Sequence, residues 1–405
     1  MRADWLAASL VALTSIAHVA AAGSPGQAAA PPAIPQLTSD VSSPSASVRR
    51  QALRGLRDRG GPETLPLLAR LVGDAEVDIR EGAVLGVIGV YVQPRKGFTH
   101  DAAEAFEAGR FRAQVWPVPA ELSVALVKAL ADEAPPVRRD AAYALGIVLA
   151  PPVTDAAAFE IMSSLSDREP SVRIAAARAL GHLRVQAAGV ALVGRVNDED
   201  LDVRLASMRA LGDLRYERAV AALTDQFTFY VRGIAGRSAL TALGAIGHSS
   251  SIPLFEAQTT SGYPAHRRAA YEGLARSGRA AAIAPRIEAA MASEKDARVL
   301  TAMAFALASA GRDGVNRVID GLTDRDNAEN ALIYLVDLGR PRAAAVAARL
   351  NDPNPVVREQ IAIALGFIGG PEAAAALTGA RGEADPTVRN AIDVALFRVN
   401  RTTGP

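Results

Sequence analysis

One ten-residue pattern recurs along the chain and restricts its fold more than any other feature. Its form is V-R-x-x-A-x-x-A-L-G. The clearest copies are VRRDAAYALG (137–146), VRIAAARALG (172–181), VRLASMRALG (203–212) and VREQIAIALG (357–366). Looser copies begin at Val48, Ile79 and Val388, and degenerate ones at Ala235, His266, Val299 and Asn327. The leucine position falls at residues 56, 87, 145, 180, 211, 243, 274, 307, 335, 365 and 396. With one gap excepted, successive copies lie 28 to 35 residues apart. A period of that length marks an array of stacked supersecondary units.

Each unit reads as two helices. Helix A carries the pattern and starts after a loop of Asp, Asn or Pro. In NDPNP (351–355), Asn354 supplies a cap and Pro355 the first helical residue. The glycine after the leucine is expected to end or turn helix A. A second apolar stretch then forms helix B, as in GVALVGRV (189–196), AVAALTDQF (219–227) and AAVAARL (344–350). Neither helix buries its apolar stripe alone, so the units must stack. The unit resembles the HEAT-like repeat named after the phycobilisome lyases, over roughly residues 44–400. That resemblance implies an all-α fold: an α-solenoid, a superhelix of the ARM/HEAT type, with about eleven two-helix repeats of ~31 residues. Repeats of this kind serve scaffolds, adaptors and a few enzymes, so the resemblance speaks to fold more than to activity. The iron-binding HEAT-repeat hydroxylases carry a His-Glu dipeptide. This chain has none, and no site carries over from them.

The pattern keeps an arginine beside its buried stripe. At about 100° per residue with Val172 at zero, Ala176 lies near 40°, Leu180 near 80°, Arg173 near 100° and Arg178 near 240°. Arg178 is therefore expected to face away. Arg173 sits at the stripe's edge and recurs as Arg49, Arg80, Arg138, Arg204, Arg267, Arg358 and Arg389. A half-buried guanidinium needs an acceptor. Six residues upstream of the arginine position stand Asp74, Asp132, Asp167, Asp198, Asp352 and Glu383. We expect an Asp–Arg ladder, one rung per repeat, joining loop to helix within or across units. The planar fork of arginine suits it. The rival is a row of arginines for an anionic ligand, and the matched carboxylates argue against that. The ladder lapses where Gly236, Leu300 and Ala328 replace the arginine.

One interval, from 87 to 145, is longer than a repeat. The extra segment spans about 92–119 and holds Phe98, Phe106, Phe111 and Trp116 with Arg110 and Arg112 beside them. In a chain with only 5% aromatics, this composition is that of a contact surface, and insertions in solenoids emerge on one face. These six residues are the candidate partner-binding set. The alternative is that the aromatics fold back over the solenoid edge.

Chemistry-bearing motifs are absent. The five histidines, His18, His100, His182, His248 and His266, have no metal-ligand spacing. No G-x-S-x-G, Walker-type or dinucleotide-binding loop occurs, and no paired catalytic carboxylates stand out. The chain has no cysteine, which removes disulfides and thiolate chemistry. We expect no catalytic residues, no cofactor and no metal. The net charge of +1 argues against a dedicated nucleic-acid binder.

Residues 1–22 have the form of a secretory signal: Arg2, an apolar run from Trp5 to Ala22, and Ala20 and Ala22 before Gly23. Residues 23–43, rich in Pro, Ala, Ser and Gly, read as a flexible leader. No membrane span is expected once the signal is cleaved, which places the protein in the periplasm or outside the cell. The reading as a whole is an exported, non-catalytic scaffold for a protein partner. It would use a groove lined by B helices and the 92–119 insertion. The alternative is a lyase-like enzyme or enzyme subunit.

Overall fold

The computed structural model describes residues 33–92, 101–109, 113–114 and 116–402. The expected signal segment, residues 1–22, lies outside them. Among the described residues every regular element is helical, with twenty-three α-helices and no strand. Eleven of these are A helices: Ala46–Arg59, Val77–Tyr91, Pro135–Val148, Pro170–His182, Leu201–Leu214, Ile234–Ile246, Pro264–Arg276, Ala297–Ser309, Ala328–Leu338, Pro355–Ile368 and Pro386–Thr402. Shorter B helices alternate with them, among them Leu65–Leu71, Ala120–Ala129, Asp155–Ser163 and Gly189–Arg195. The fold is thus the expected all-α solenoid. No helix among the described residues is long and apolar enough to cross a membrane.

The helix starts follow from local chemistry. Proline occupies the first turn at Pro135, Pro170, Pro264 and Pro355, where its missing N–H costs nothing. The side chains of Asp200, Asp296 and Asn354 accept first-turn amides. The expected leader is corrected at its C-terminal end, where Ile34–Asp40 forms a helix. Leu37 and Val41 lie four apart, share one helical face and are buried in the core, so they cover the open end of the first repeat.

The repeat glycine does not end helix A. Gly146, Gly181, Gly212 and Gly366 lie inside their helices. Each faces a small residue of the following A helix. A Cβ on Gly181 would lie 2.8 Å from Ala210 Cα, one on Gly212 3.2 Å from Ala242 Cα, and one on Gly366 2.9 Å from Ala395 Cα. The glycine and the alanine before the repeat leucine are thus a matched pair that lets A helices approach closely. Successive A helices stack directly, and one hydrophobic core runs from Leu37 to Val399. The B helices form the outer layer, where Val124, Phe159 and Val190 stand exposed.

The ladder joins neighbouring repeats. Every rung arginine but Arg389 donates one Nη to the backbone carbonyl six residues upstream in its own repeat, for example Arg80 to Asp74 at 2.9 Å, Arg138 to Asp132 at 2.9 Å, Arg173 to Asp167 at 3.0 Å and Arg358 to Asp352 at 2.8 Å. The carboxylate it grips belongs to the next repeat. Arg49 takes Asp74, Arg80 takes Asp132, Arg138 takes Asp167, Arg173 takes Asp198 and Arg358 takes Glu383, at 2.6 to 2.9 Å. Pairing by carboxylate within a repeat, Asp167 with Arg173 for example, is therefore corrected to pairing one repeat apart. Each carboxylate also accepts the amide two residues on, as Asp167 does from Glu169 at 2.9 Å. Burial works against the charge on Asp167, but Arg138 and that amide outweigh it and hold its pKa below the usual carboxylate value.

The ladder's exceptions have local causes. Arg267 takes Glu294 at 2.7 Å, a carboxylate six residues before Leu300, where the rung arginine is missing. That arginine, with the Lys295 and Asp296 amides, lowers the Glu294 pKa to about 2. Arg204 finds no carboxylate in the next repeat among the described residues and instead lies 5.9 Å from the Tyr230 ring centroid. Gly236 follows from the same place: a Cβ there would lie 2.2 Å from the Tyr230 carbonyl oxygen. Asp352 has Ala328 upstream instead of a rung arginine and pairs with Arg349 at 2.6 Å. Arg389 stands in the last repeat, and its side chain bonds only the Ala384 carbonyl, at 3.3 Å, among the described residues.

Candidate binding groove

The A helices, not the B helices, line the concave face. A cavity of about 960 Å³ opens between residues of the A helices from Pro135–Val148 to Pro386–Thr402. The physical reason lies in the packing. The A helices approach closely through their glycine and alanine contacts, and the B layer takes the outside of the curve. Arg178 is corrected by the same fact. It does face away from the buried stripe, but into the groove, where its Nη1 lies 3.7 Å from Glu107 and 3.4 Å from the Tyr143 hydroxyl.

Long-range contacts cross the groove and hold its curvature. Arg209 bonds Glu107 at 3.0 Å and Glu329 at 3.3 Å. Arg276 bonds Asp337 at 2.8 Å and Glu272 at 3.3 Å, and donates to the Gly244 carbonyl at 3.0 Å. Arg215 also pairs with Asp337. The Tyr334 hydroxyl donates to Glu272 at 2.5 Å, and its ring stacks on Phe305 with centroids 4.7 Å apart. Burial, and then the Glu272 charge, push the Tyr334 pKa well above its usual value, so it remains a donor. At the far end, Arg398 donates to the Ala113 carbonyl at 3.2 Å and stacks 4.5 Å from the Phe367 centroid. Burial lowers its pKa to about 10, which leaves it charged at neutral pH. The insertion and the last helix thus meet across the groove.

The insertion's candidate residues divide. Phe98, Arg110, Phe111 and Arg112 lie outside the described residues. Phe106 is corrected from a contact residue to a core residue. It sits on the helix Ala102–Gly109, is 3% exposed, and packs against Tyr143 and His182 with centroids 5.3 and 5.6 Å away. Gly146 makes room for it, since a Cβ there would lie 2.6 Å from the Phe106 ring. Trp116 is half-buried against the same core. Gln114 is buried, and its backbone amide donates to the Tyr91 carbonyl at 2.8 Å. These parts of the insertion plug the solenoid edge, and Glu107 supplies a charge to the groove.

Apart from Arg178, the groove arginines were not singled out from the sequence. The signal that could have found them is a column, not a motif. Four residues after the repeat leucine most repeats hold glycine, while two hold Arg184 and Arg215. Among the described residues no group of three or more His, Cys, Asp or Glu is placed to hold a metal ion.

Comparison with known proteins agrees with the repeat architecture. The family described as HEAT repeats matches residues 158–236 and 315–396. The unmatched stretch between them contains the degenerate repeats that begin at His266 and Val299. Three solved structures are similar at low scores. An engineered protein is 17% identical, with 90% of this chain and 98% of that chain covered and a TM-score of 0.39. The complex of CpcE and CpcF of phycocyanin lyase from Nostoc sp. PCC7120 is 21% identical over 70% and 99%, with a TM-score of 0.41. Computationally designed armadillo repeat proteins for modular peptide recognition are 20% identical over 53% and 99%, with a TM-score of 0.36. No curated protein matches the chain. The chain thus carries HEAT repeats over residues 158–236 and 315–396, and its recurring paired-helix unit resembles the phycobilisome-lyase-like repeat.

Proposed function

We propose that this protein is an exported, non-catalytic scaffold that holds a segment of a partner protein in the groove lined by its A helices. The observation that carries the reading is the groove: about 960 Å³ of concave space whose walls are rigid, stacked helices bearing charged and polar side chains. Sites built on packed helices hold a partner with little reorganisation, which is what a scaffold needs. Export rests on the apolar run Trp5–Ala22 and the small residues Ala20 and Ala22 before Gly23.

The test is partner capture from the exported fraction, using the wild type and Thr241→Trp. Thr241 lines the groove, and an indole there would fill part of it. Capture is expected to fall with Thr241→Trp and to persist with Val190→Trp on the outer face, at unchanged melting temperatures. Equal capture by both variants would exclude the groove as the binding site. Deleting residues 92–119 is not a usable control, because it removes Phe106 from the core.

A further inference from the structure

Four residues after the repeat leucine, eight repeats adopt a positive φ. Six of them use glycine there, from Gly60 to Gly369, with φ between 58° and 83°. The other two place arginine in that region, Arg184 at φ 53° and Arg215 at φ 50°. Contact between Cβ and backbone disfavours positive φ for nearly every residue but glycine. Two consecutive repeats thus keep an arginine where six others relieve the strain, and both side chains line the groove. Arg215 meets Asp337 across it. Arg184 is exposed and has no carboxylate partner among the described residues.

Two further arginine pairs line the groove at one-repeat spacing. Arg178 and Arg209 occupy one repeat position and share Glu107, at 3.7 and 3.0 Å. This is a direct example of one carboxylate bridging arginines of adjacent repeats. Arg237 and Arg268 occupy another. Arg268 lies 3.4 Å from Glu272, while Arg237 is exposed with no carboxylate partner among the described residues. In all, eight arginines line the groove against five carboxylates. Three of those five, Glu272, Glu329 and Asp337, are already held by arginine.

We infer that the groove binds an extended, acidic segment of a partner protein, whose carboxylates pair with Arg184 and Arg237. This deepens the protein-binding reading and rests on it. Stacked helices lie about 8–10 Å apart. An extended chain rises about 3.3 Å per residue, so carboxylates at every third position meet successive repeats, and two of them six positions apart span the two-repeat step between the units of Arg184 and Arg237. A peptide fits better than a nucleic acid. Asp202, Glu329 and Asp337 stand among the arginines and oppose an unbroken run of phosphates, whereas a peptide can space its charges. Of the aromatics on this face, Tyr334 is buried against Phe305 and Phe367 already carries the Arg398 guanidinium on its ring, which leaves no row of open rings for base stacking.

The test uses the full chain and a fluorescent peptide with glutamate at every third position, separated by glycine and serine. Its glutamine counterpart is the control, and anisotropy reads binding. The glutamate peptide is expected to bind more tightly than the glutamine peptide and to weaken as salt rises. The double variant Arg184→Gly, Arg237→Ala is expected to lose about tenfold in affinity. It should fold as well as the wild type, because Arg184→Gly restores the residue that six repeats already use. Equal binding of the two peptides would overturn the acidic assignment while leaving the groove as a protein-binding site. So would unchanged affinity in the double variant. Tighter binding of a single-stranded oligonucleotide than of the glutamate peptide would overturn the choice of partner. Failure of the wider reading shows separately, as equal partner capture by Thr241→Trp.

Discussion

At the scale of single residues, the repeated arginine is a clasp between units. Its guanidinium holds a carbonyl of its own repeat and a carboxylate of the next, so each unit defines the loop geometry of its neighbour. The side chains of Arg138 and Asp167 are 8% and 12% exposed, so removing one leaves the other poorly solvated. Asp167→Ala is expected to destabilise the protein by about 1–3 kcal/mol, read by chemical denaturation. A double-mutant cycle should assign the coupling to Arg138, with a value near zero for Arg173. A coupling to Arg173 instead would return the rung to a single repeat. The offset of six was legible in the sequence because both of its ends recur. The direction of the pairing was not, because a carboxylate between two repeats is close in sequence to one arginine and close in space to another. Glu294 escaped for that reason: its own repeat has Leu300 at the rung, and its arginine, Arg267, lies one repeat upstream.

At the scale of elements, the repeat glycine and alanine set how closely A helices stack. The sequence showed that glycine recurs after the leucine, and helix termination is its commonest role in that setting. The structure gives it a packing role, because only the next helix reveals what a Cβ would strike. The two roles of glycine separate in a pair of variants. Gly181→Ala should destabilise by about 1–3 kcal/mol, since its Cβ would press on the Ala210 backbone. Gly194→Ala should stabilise by about 0.5–1 kcal/mol, because that helical glycine has open space around it and alanine is the better helix former. Stabilisation by Gly181→Ala would contradict close A-helix stacking. The same stacking explains the low aromatic content, because a thin two-layer array built on alanine has little room for rings. Where a ring does enter, as Phe106 does beside Gly146, a glycine makes way.

At the scale of the whole molecule, close A-helix contacts curve the array so that its A face becomes concave. Contacts such as Arg209–Glu329 and Arg398–Ala113 hold that curve between residues far apart in the chain. The stacked two-helix units were legible from periodicity, and the solenoid they build from the resemblance of that unit to the HEAT-like repeat. Which layer faces inward was not, because both helices are apolar on one side and the curvature depends on how closely neighbouring helices approach, summed over many repeats. The groove's charges were hidden for a related reason: they belong to columns of the repeat that vary, and variation reads as surface until the surface is seen to be enclosed. The central claim is that a partner lies against the A helices. It is tested most directly by placing a photoreactive residue at Thr241, in the groove, or at Val190, on the outer face, and irradiating the protein in a fractionated extract of the cells that make it. The account predicts a crosslinked partner from position 241 and none from 190; crosslinking from 190 alone would contradict it.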